Sequence, residues 1–324
     1  MSELAGSIDP VNVTFTTPRR PVEVTALFTQ LAPLARPAVR LHPRPGSPSA
    51  HDSSVGGPLL WPTDEPWPYC HESHDQVEQL YEAYGVPVGP DDEWHPGPNP
   101  MVPVAQLYVR DIPVLRPPGR ADLLQVLWCP FEHEPDLKPP TALFWRSSAE
   151  VTDVLAAPPG PFAVEYGEYV PRPCVLAPEQ IAEYPNPLEV CEELREQLRD
   201  WSRWQAAGSG VDSSYAPYPE SFYGSRLSLA PSWKVGGWAP WGLTDPAARF
   251  CSACDAGMVP LLTICSGEWD SGTRSWIPYE DQSVAQQGGD IESNPAGVQV
   301  SKGDHLQLYV CPESPEHPHT SLVQ

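Results

Sequence analysis

Asp122 to Pro135 reads DLLQVLWCPFEHEP, and Asp304 to Pro318 reads DHLQLYVCPESPEHP. In both, Asp-x-Leu-Gln runs through three mostly apolar residues into Cys-Pro, and a Glu-His pair follows a few residues later. A short apolar run closed by Asp on one side and Pro on the other predicts a buried strand. Because the phrase occurs twice, it also raises the question of duplication.

Order along the chain supports that idea more than the match itself. VGGPLLWP at Val55 is echoed by VGGWAPWG at Val235, Cys70 by Cys251, and MVPV at Met101 by MVPL at Met258, before the quoted phrase and its partner. Four features in one order point to a repeated unit, with insertions placed after Cys70 in the first copy and after Asp270 in the second. The expected fold class is therefore α+β: two related β-rich lobes from an internal duplication, with a few short helices and one longer amphipathic helix.

Composition narrows the partners. Lys and Arg total 19 against 42 Asp and Glu, a net charge of -23, which repels phosphate backbones and argues against nucleic acid. No apolar run approaches the roughly 18 residues of a membrane span, and MSELAGSIDP lacks the pattern of a signal peptide, so a cytoplasmic protein without a membrane partner is expected. In that compartment eight cysteines read as free thiols or metal ligands rather than a disulfide framework. The 44 prolines disfavour long helices.

Four segments follow. Residues 1–54 hold a short helix, with Val24, Leu27, Phe28, Leu31 and Leu34 on one face, and a Pro-rich connector. Residues 55–185 form the first lobe, with a helix at HDQVEQLYEAYG and strands at MVPVAQLYV, DLLQVLWC, ALFWR and FAVEYGEYV. Residues 186–218 carry the longest helix and a linker. Asn186 caps it, Leu188, Cys191, Leu194, Leu198 and Trp201 share a face, and Glu192 with Arg195 and Glu196 with Arg199 pair at i,i+3. Residues 219–324 form the second lobe, and the lobes are expected to make one body.

Cys251-x-x-Cys254 has the spacing of a zinc knuckle, since two intervening residues let both thiolates reach one tetrahedral ion. Cys70 holds the matching place in the first copy, followed by His71 and His74, so Cys70 with His74, or else His71, could complete a Cys3His structural zinc site across the lobes. A redox pair and thiols of no special role are the alternatives. Cys129 and Cys311 end apolar strands and read as core packing.

No serine-hydrolase, zinc-protease, kinase or P-loop motif occurs, so no catalytic residue is assigned; Glu268 and Asp270 are the carboxylates an enzyme reading would use. Trp61, Trp67, Trp238 and Trp241, gathered around the glycine pairs Gly56-Gly57 and Gly236-Gly237, and Gln106, Gln125 and Gln307 on strands, are the candidate binding residues. For the strand glutamines, bonding to the backbone is the structural alternative.

The ordered set GGPLLWPTDEPWP, MVPVAQLYV, DLLQVLWCP, WKVGGWAPW, Cys-Ser-Ala-Cys, MVPLLTI and HLQLYVC resembles the YwqG-like family of uncharacterised bacterial proteins, from about Val22 onward. That family is distantly similar to the programmed cell death protein 2 group, whose members act as chaperones for a ribosomal protein. The resemblance implies a protein- or peptide-binding module, chaperone-like or immunity-like, with a basic client suited to this acidic chain. An enzyme of unfamiliar type and a metal-dependent sensor are the rival readings. Thr263 stands where the family pattern places Gln, and GEWD replaces a Trp-Gly-Asp element.

Overall fold

Residues 16–74, 98–286, 293–301 and 303–324 are described by a computed structural model of the chain. The helix expected at HDQVEQLYEAYG lies outside these residues from Asp75 onward. Among the described residues, fourteen strands and several short helices give the mixed architecture expected of an α+β protein, with antiparallel sheets.

The quoted phrases form the strands predicted for them. In the first sheet, β6 (Val102–Tyr108) pairs with β7 (Leu123–Trp128), and β7 with β8 (Thr141–Arg146), which is the sheet's terminal strand among the described residues. β3 (Ser54–Val55) flanks β6 on the other side, followed by β9 (Cys174–Val175) and β2 (Arg44–Pro45). In the second sheet, β11 (Lys234–Gly236), β12 (Val259–Cys265), β13 (His305–Val310) and β14 (Thr320–Val323) succeed one another. That sheet is completed by β1 (Arg36–Arg40) and β10 (Glu179–Glu183). β1, from the stretch expected to be a connector, thus pairs with β11 of the 219–324 segment, and β10 of the 55–185 segment joins the same sheet only through β1.

Register explains the glutamines. Gln106 faces Gln125 across β6 and β7, and Thr263 faces Gln307 across β12 and β13. All four are buried. The Gln125 Nε2 group donates to Gln106 Oε1 at 2.9 Å and to the Leu60 carbonyl at 3.0 Å, while the Leu60 N–H donates to Gln106 Oε1 at 2.7 Å. In the other sheet the Thr263 hydroxyl donates to Gln307 Oε1 at 2.7 Å, so the shorter side chain still meets its partner. These amides satisfy one another and the backbone, as buried polar groups must.

One hydrophobic cluster draws on both sheets: Val104, Val126 and Trp128 from the first, with Val235, Leu262 and Leu308 from the second. A second cluster joins Val24, Phe28 and Leu31 to Leu194, Leu198, Trp204 and Phe222. Here the helices are shorter than expected. α1 (Val24–Leu27) passes into a 3-10 turn at Thr29–Leu34 that contains Pro33. The segment from Asn186 divides into a 3-10 turn at Pro187–Glu189, α2 (Glu192–Arg199) and α3 (Trp201–Gln205). Asp200 ends α2 in an extended conformation and caps α3 by accepting from the Ser202 N–H, so local capping breaks the run. Cys191 is consequently exposed rather than on the buried face. Arg195 and Arg199 turn to Glu220 instead of forming the expected i,i+3 pairs. FAVEYGEYV forms a 3-10 turn at Gly167–Tyr169 and no strand, with Tyr169 buried against Trp128.

Both glycine pairs are needed for their backbone. Gly56 has φ +61°, and a Cβ there would lie 2.5 Å from the Pro171 carbonyl oxygen. Gly237 has φ +71° and leaves room for the Glu183 carboxylate, which a Cβ would meet at 2.2 Å. Glu183 is buried and paired with buried Lys234 at 2.6 and 2.8 Å, and it accepts the Trp238 N–H.

Candidate metal centres and an edge groove

The two quoted phrases end at two clusters of metal-ligating atoms. Cys129 follows β7 directly and His133 comes four residues later. β4 (Tyr69–Cys70), paired with β5 (Asn99–Pro100), supplies Cys70, and His74 follows. One ligand atom from each of these four lies within 4.8 Å of the others. His74 Nε2 is 3.2 Å from Cys129 Sγ, and His133 Nε2 is 3.4 Å from Cys129 Sγ and 3.8 Å from Cys70 Sγ. The Glu72 carboxylate sits 3.2 Å from His133 Nδ1, which holds the ring so that Nε2 faces the sulfurs.

The second cluster is Cys251, Cys254, Cys311 and His317, again within 4.8 Å. Cys311 follows β13 directly, and Cys251 and Cys254 lie in a turn closed by the Phe250–Gly257 bridge. Cys251 Sγ is 3.5 Å from His317 Nδ1, Cys254 Sγ is 3.5 Å from Cys311 Sγ, and the Ala253 N–H donates to Cys251 Sγ at 3.4 Å. A tetrahedral zinc with bonds of about 2.3 Å to sulfur and 2.0–2.1 Å to nitrogen requires ligand separations of roughly 3.3–3.8 Å. The separations of 3.2, 3.4 and 3.8 Å in the first group and 3.5 Å in the second lie near that range, and the remaining pairs are within 4.8 Å.

Close thiols and imidazoles perturb one another. Cys70 is held far below the ordinary thiol range, first by its hydrogen bond with Cys129, then by His133 and His74, against burial. Burial raises Cys311, yet the Ser314 N–H, His317 and Cys254 bring it down to about 6. Thiolate is the form a metal takes.

The four ligands expected of one shared Cys3His site are divided. Cys70 and His74 belong to the first group, Cys251 and Cys254 to the second, and Cys129 and Cys311, both buried in the core as expected, are also members of these groups. His71 is exposed and outside both groups. The missed signal was the quoted phrase itself, whose Cys-Pro is followed by histidine after four residues in one copy and six in the other.

The candidate binding residues do not gather into one site, although Gln106 bonds Gln125 and Trp61 packs against Trp67 with ring centroids 5.0 Å apart. Trp61 and Trp67 are buried under β7 and β8, and Trp238 stacks beneath Arg36 with its indole N–H donating to the Leu34 carbonyl. Trp241 lines a cavity of about 420 Å³ with Lys234, Trp269, Cys265 and His305. In it Cys265 Sγ lies 3.0 Å from His305 Nδ1 and donates to the Gly267 carbonyl. Glu268 is buried, whereas exposed Asp270 is engaged in its own turn with Gly272 and Thr273.

A larger groove, about 690 Å³, lies beside the second cluster. One wall is Leu143 to Ser147 taken consecutively, and the other is Pro315 to His319. Successive strand side chains point to opposite faces, so a run of consecutive lining residues means that the groove follows the open edge of β8. His319 Nε2 meets the Thr141 hydroxyl at 2.9 Å and ties the walls together at one end. Trp145 lines the groove, and its indole N–H has no hydrogen-bond partner among the described residues. Among the described residues no helix is long and apolar enough to cross a membrane. No family model and no curated protein matches this chain.

Proposed function

We propose that this chain is an internally duplicated, zinc-stapled protein that binds an extended, basic segment of a partner protein along the open edge of β8. The observation that carries the reading is the groove walled by five consecutive residues of an edge strand and its exit. An edge strand presents unpaired backbone groups, and an extended peptide adds to them as a further strand. Exposed Glu150 and Glu316 stand on the rim, Arg146 is neutralised by Glu65 at 2.7 Å, and the whole chain carries -23, so a basic segment suits the groove despite Arg120.

Duplication is supported by the equivalent runs β3-β6-β7-β8 and β11-β12-β13-β14, by register shifts at Pro103/Ala105 and Pro260/Leu262, and by a Cys/His group directly after β7 and after β13. Zinc is supported by the donor chemistry: two sulfurs with two imidazoles, and three sulfurs with one. Four protein ligands leave no position for water, so both ions would be structural rather than catalytic. Eight free thiols suit a reducing, cytoplasmic setting.

Metal analysis of the purified chain should find two zinc ions per molecule. Selection from a displayed library of random peptides should enrich Lys and Arg alternating with apolar residues, and a selected peptide should slow amide exchange in Thr141–Arg146. Joint Glu150→Lys and Glu316→Lys substitution should weaken that peptide about tenfold, an effect shrinking as salt is raised. Selected peptides without basic residues, or protection confined to other strands, would refute the groove reading. A thiol-dependent enzyme is the rival that Cys265 and His305 favour. Alkylation of Cys265 no faster than that of exposed Cys191 would remove it.

A further inference from the structure

The two Cys/His groups differ in how they meet solvent and in what else they touch. Cys70 and Cys129 in the first are 6% and 0% exposed, so its sulfurs are enclosed by the fold. In the second, Cys254 is exposed, and its sulfur lies 3.5 Å from that of buried Cys311. Closing that gap to the roughly 2.05 Å of a disulfide needs a movement of about 1.5 Å from a side chain on a surface turn. The remaining ligand, His317, is also a wall residue of the groove along β8. Its neighbour His319 is bonded to Thr141, the first residue of β8.

We propose that Cys254 and Cys311 form a peroxide-sensitive pair whose oxidation expels zinc from the second group and loosens the peptide groove. The inference rests on the zinc and groove reading given above. The exposed Cys254 sulfur attacks one oxygen of a hydroperoxide, forming an S–O bond as the O–O bond breaks and one oxygen leaves as water or alcohol. The Cys311 sulfur then attacks Cys254, forming the disulfide as the S–O bond breaks and the second oxygen leaves as water. Two electrons pass from the two sulfurs to the peroxide, and two protons come from solvent. The zinc ion loses two of its four ligands and departs, and His317 no longer anchors the 315–319 wall. The first group, with its sulfurs enclosed, keeps its ion.

The test uses the full-length, zinc-loaded chain and hydrogen peroxide. Zinc release is followed with a chromogenic chelator, disulfides are mapped by mass spectrometry, and affinity for the selected peptide is measured before and after. The expected result is release of one of the two ions, a Cys254–Cys311 disulfide, at least a tenfold loss of peptide affinity, and recovery with dithiothreitol and zinc. Cys254→His keeps four donors, now two sulfurs and two imidazoles like the first group, and should retain both ions while resisting peroxide. Release of both ions at one rate, a Cys251–Cys254 disulfide, no release, or release with unchanged peptide affinity would each overturn the switch while leaving the zinc reading intact. A chain purified without zinc would refute the reading beneath it as well.

Discussion

At the scale of single residues, burial sets the chemistry. Glu268 is buried, with one carboxylate oxygen accepting the Trp233 N–H at 3.3 Å and the other without a hydrogen-bond partner among the described residues. Burial raises its pKa from 4.5 to about 7 despite Arg40 and Arg44. Between those values the unfolded chain has released a proton that the folded chain keeps, so stability from this group is intact below 4.5 and falls as pH rises toward 7. His42 gives the opposite slope. Burial lowers it from 6.5 to about 4 even though Glu179 supports its charge, so its contribution is lost as pH falls through that window. In the natural chain the two slopes oppose each other. Glu268→Gln removes the first, and its stability relative to the natural chain should grow by up to about 3 kcal/mol between pH 4.5 and 7. Denaturant titrations across that range check it, and a constant difference would mean that Glu268 does not hold its proton in the fold. Gln125→Leu makes a second case. It strips partners from Gln106, the Leu60 carbonyl and Arg146 Nε, and should cost about 3 kcal/mol at any pH.

At the scale of elements, each Cys/His group ties a central strand to a distant turn. Cys129 and His133 follow β7 and meet β4 through Cys70, while Cys311 and His317 follow β13 and meet the 251–254 turn. Binding energy at such a site enters the folding energy directly, because the unfolded chain does not hold the ligands together. Cys129→Ser and Cys311→Ser should each lower the zinc content from two ions to one. A loss of about 3 kcal/mol would lower Tm by about 4–5 °C in a chain of this size. Metal analysis and calorimetry together check both, and a single variant that empties both sites would show that the groups are not independent. The helical region reads differently: Asn186, Asp200 and Pro187 each act locally and cut one expected helix into three short pieces, so that of the expected face only Leu194 and Leu198 are buried, Trp201 is half-buried, and Leu188 and Cys191 are exposed.

At the scale of the molecule, chain segments interleave. β1 and β10, far apart in sequence, pair with each other and bring the 1–54 and 55–185 segments into the sheet built by 219–324. The buried Lys234–Glu183 pair lies where β11 and β10 come together around β1, and the close approach of Glu183 depends on Gly237. A side chain at Gly237 therefore threatens an ion pair as well as a turn. Gly237→Ala should cost several kcal/mol, since a buried charge left without its partner costs about 3–5 kcal/mol. Equilibrium unfolding measures this, and a near-neutral effect would mean that the carboxylate moves aside at little cost.

The sequence by itself determined the strands and their polar exceptions. Apolar runs bounded by Asp, Gly and Pro marked β6, β7, β8, β12 and β13, because strand burial depends on neighbours in the chain and on turn chemistry close by. It also named candidate ligands: Cys251 and Cys254 from their spacing, and Cys70 with His74 from their place in the repeated order. Only the tertiary structure decided how those ligands are grouped, because Cys70 reaches Cys129 and Cys254 reaches Cys311 through sheet pairing that spans more than fifty residues. The same holds for the groove: which strand is left at the edge depends on how every other strand has paired, and no local pattern records it.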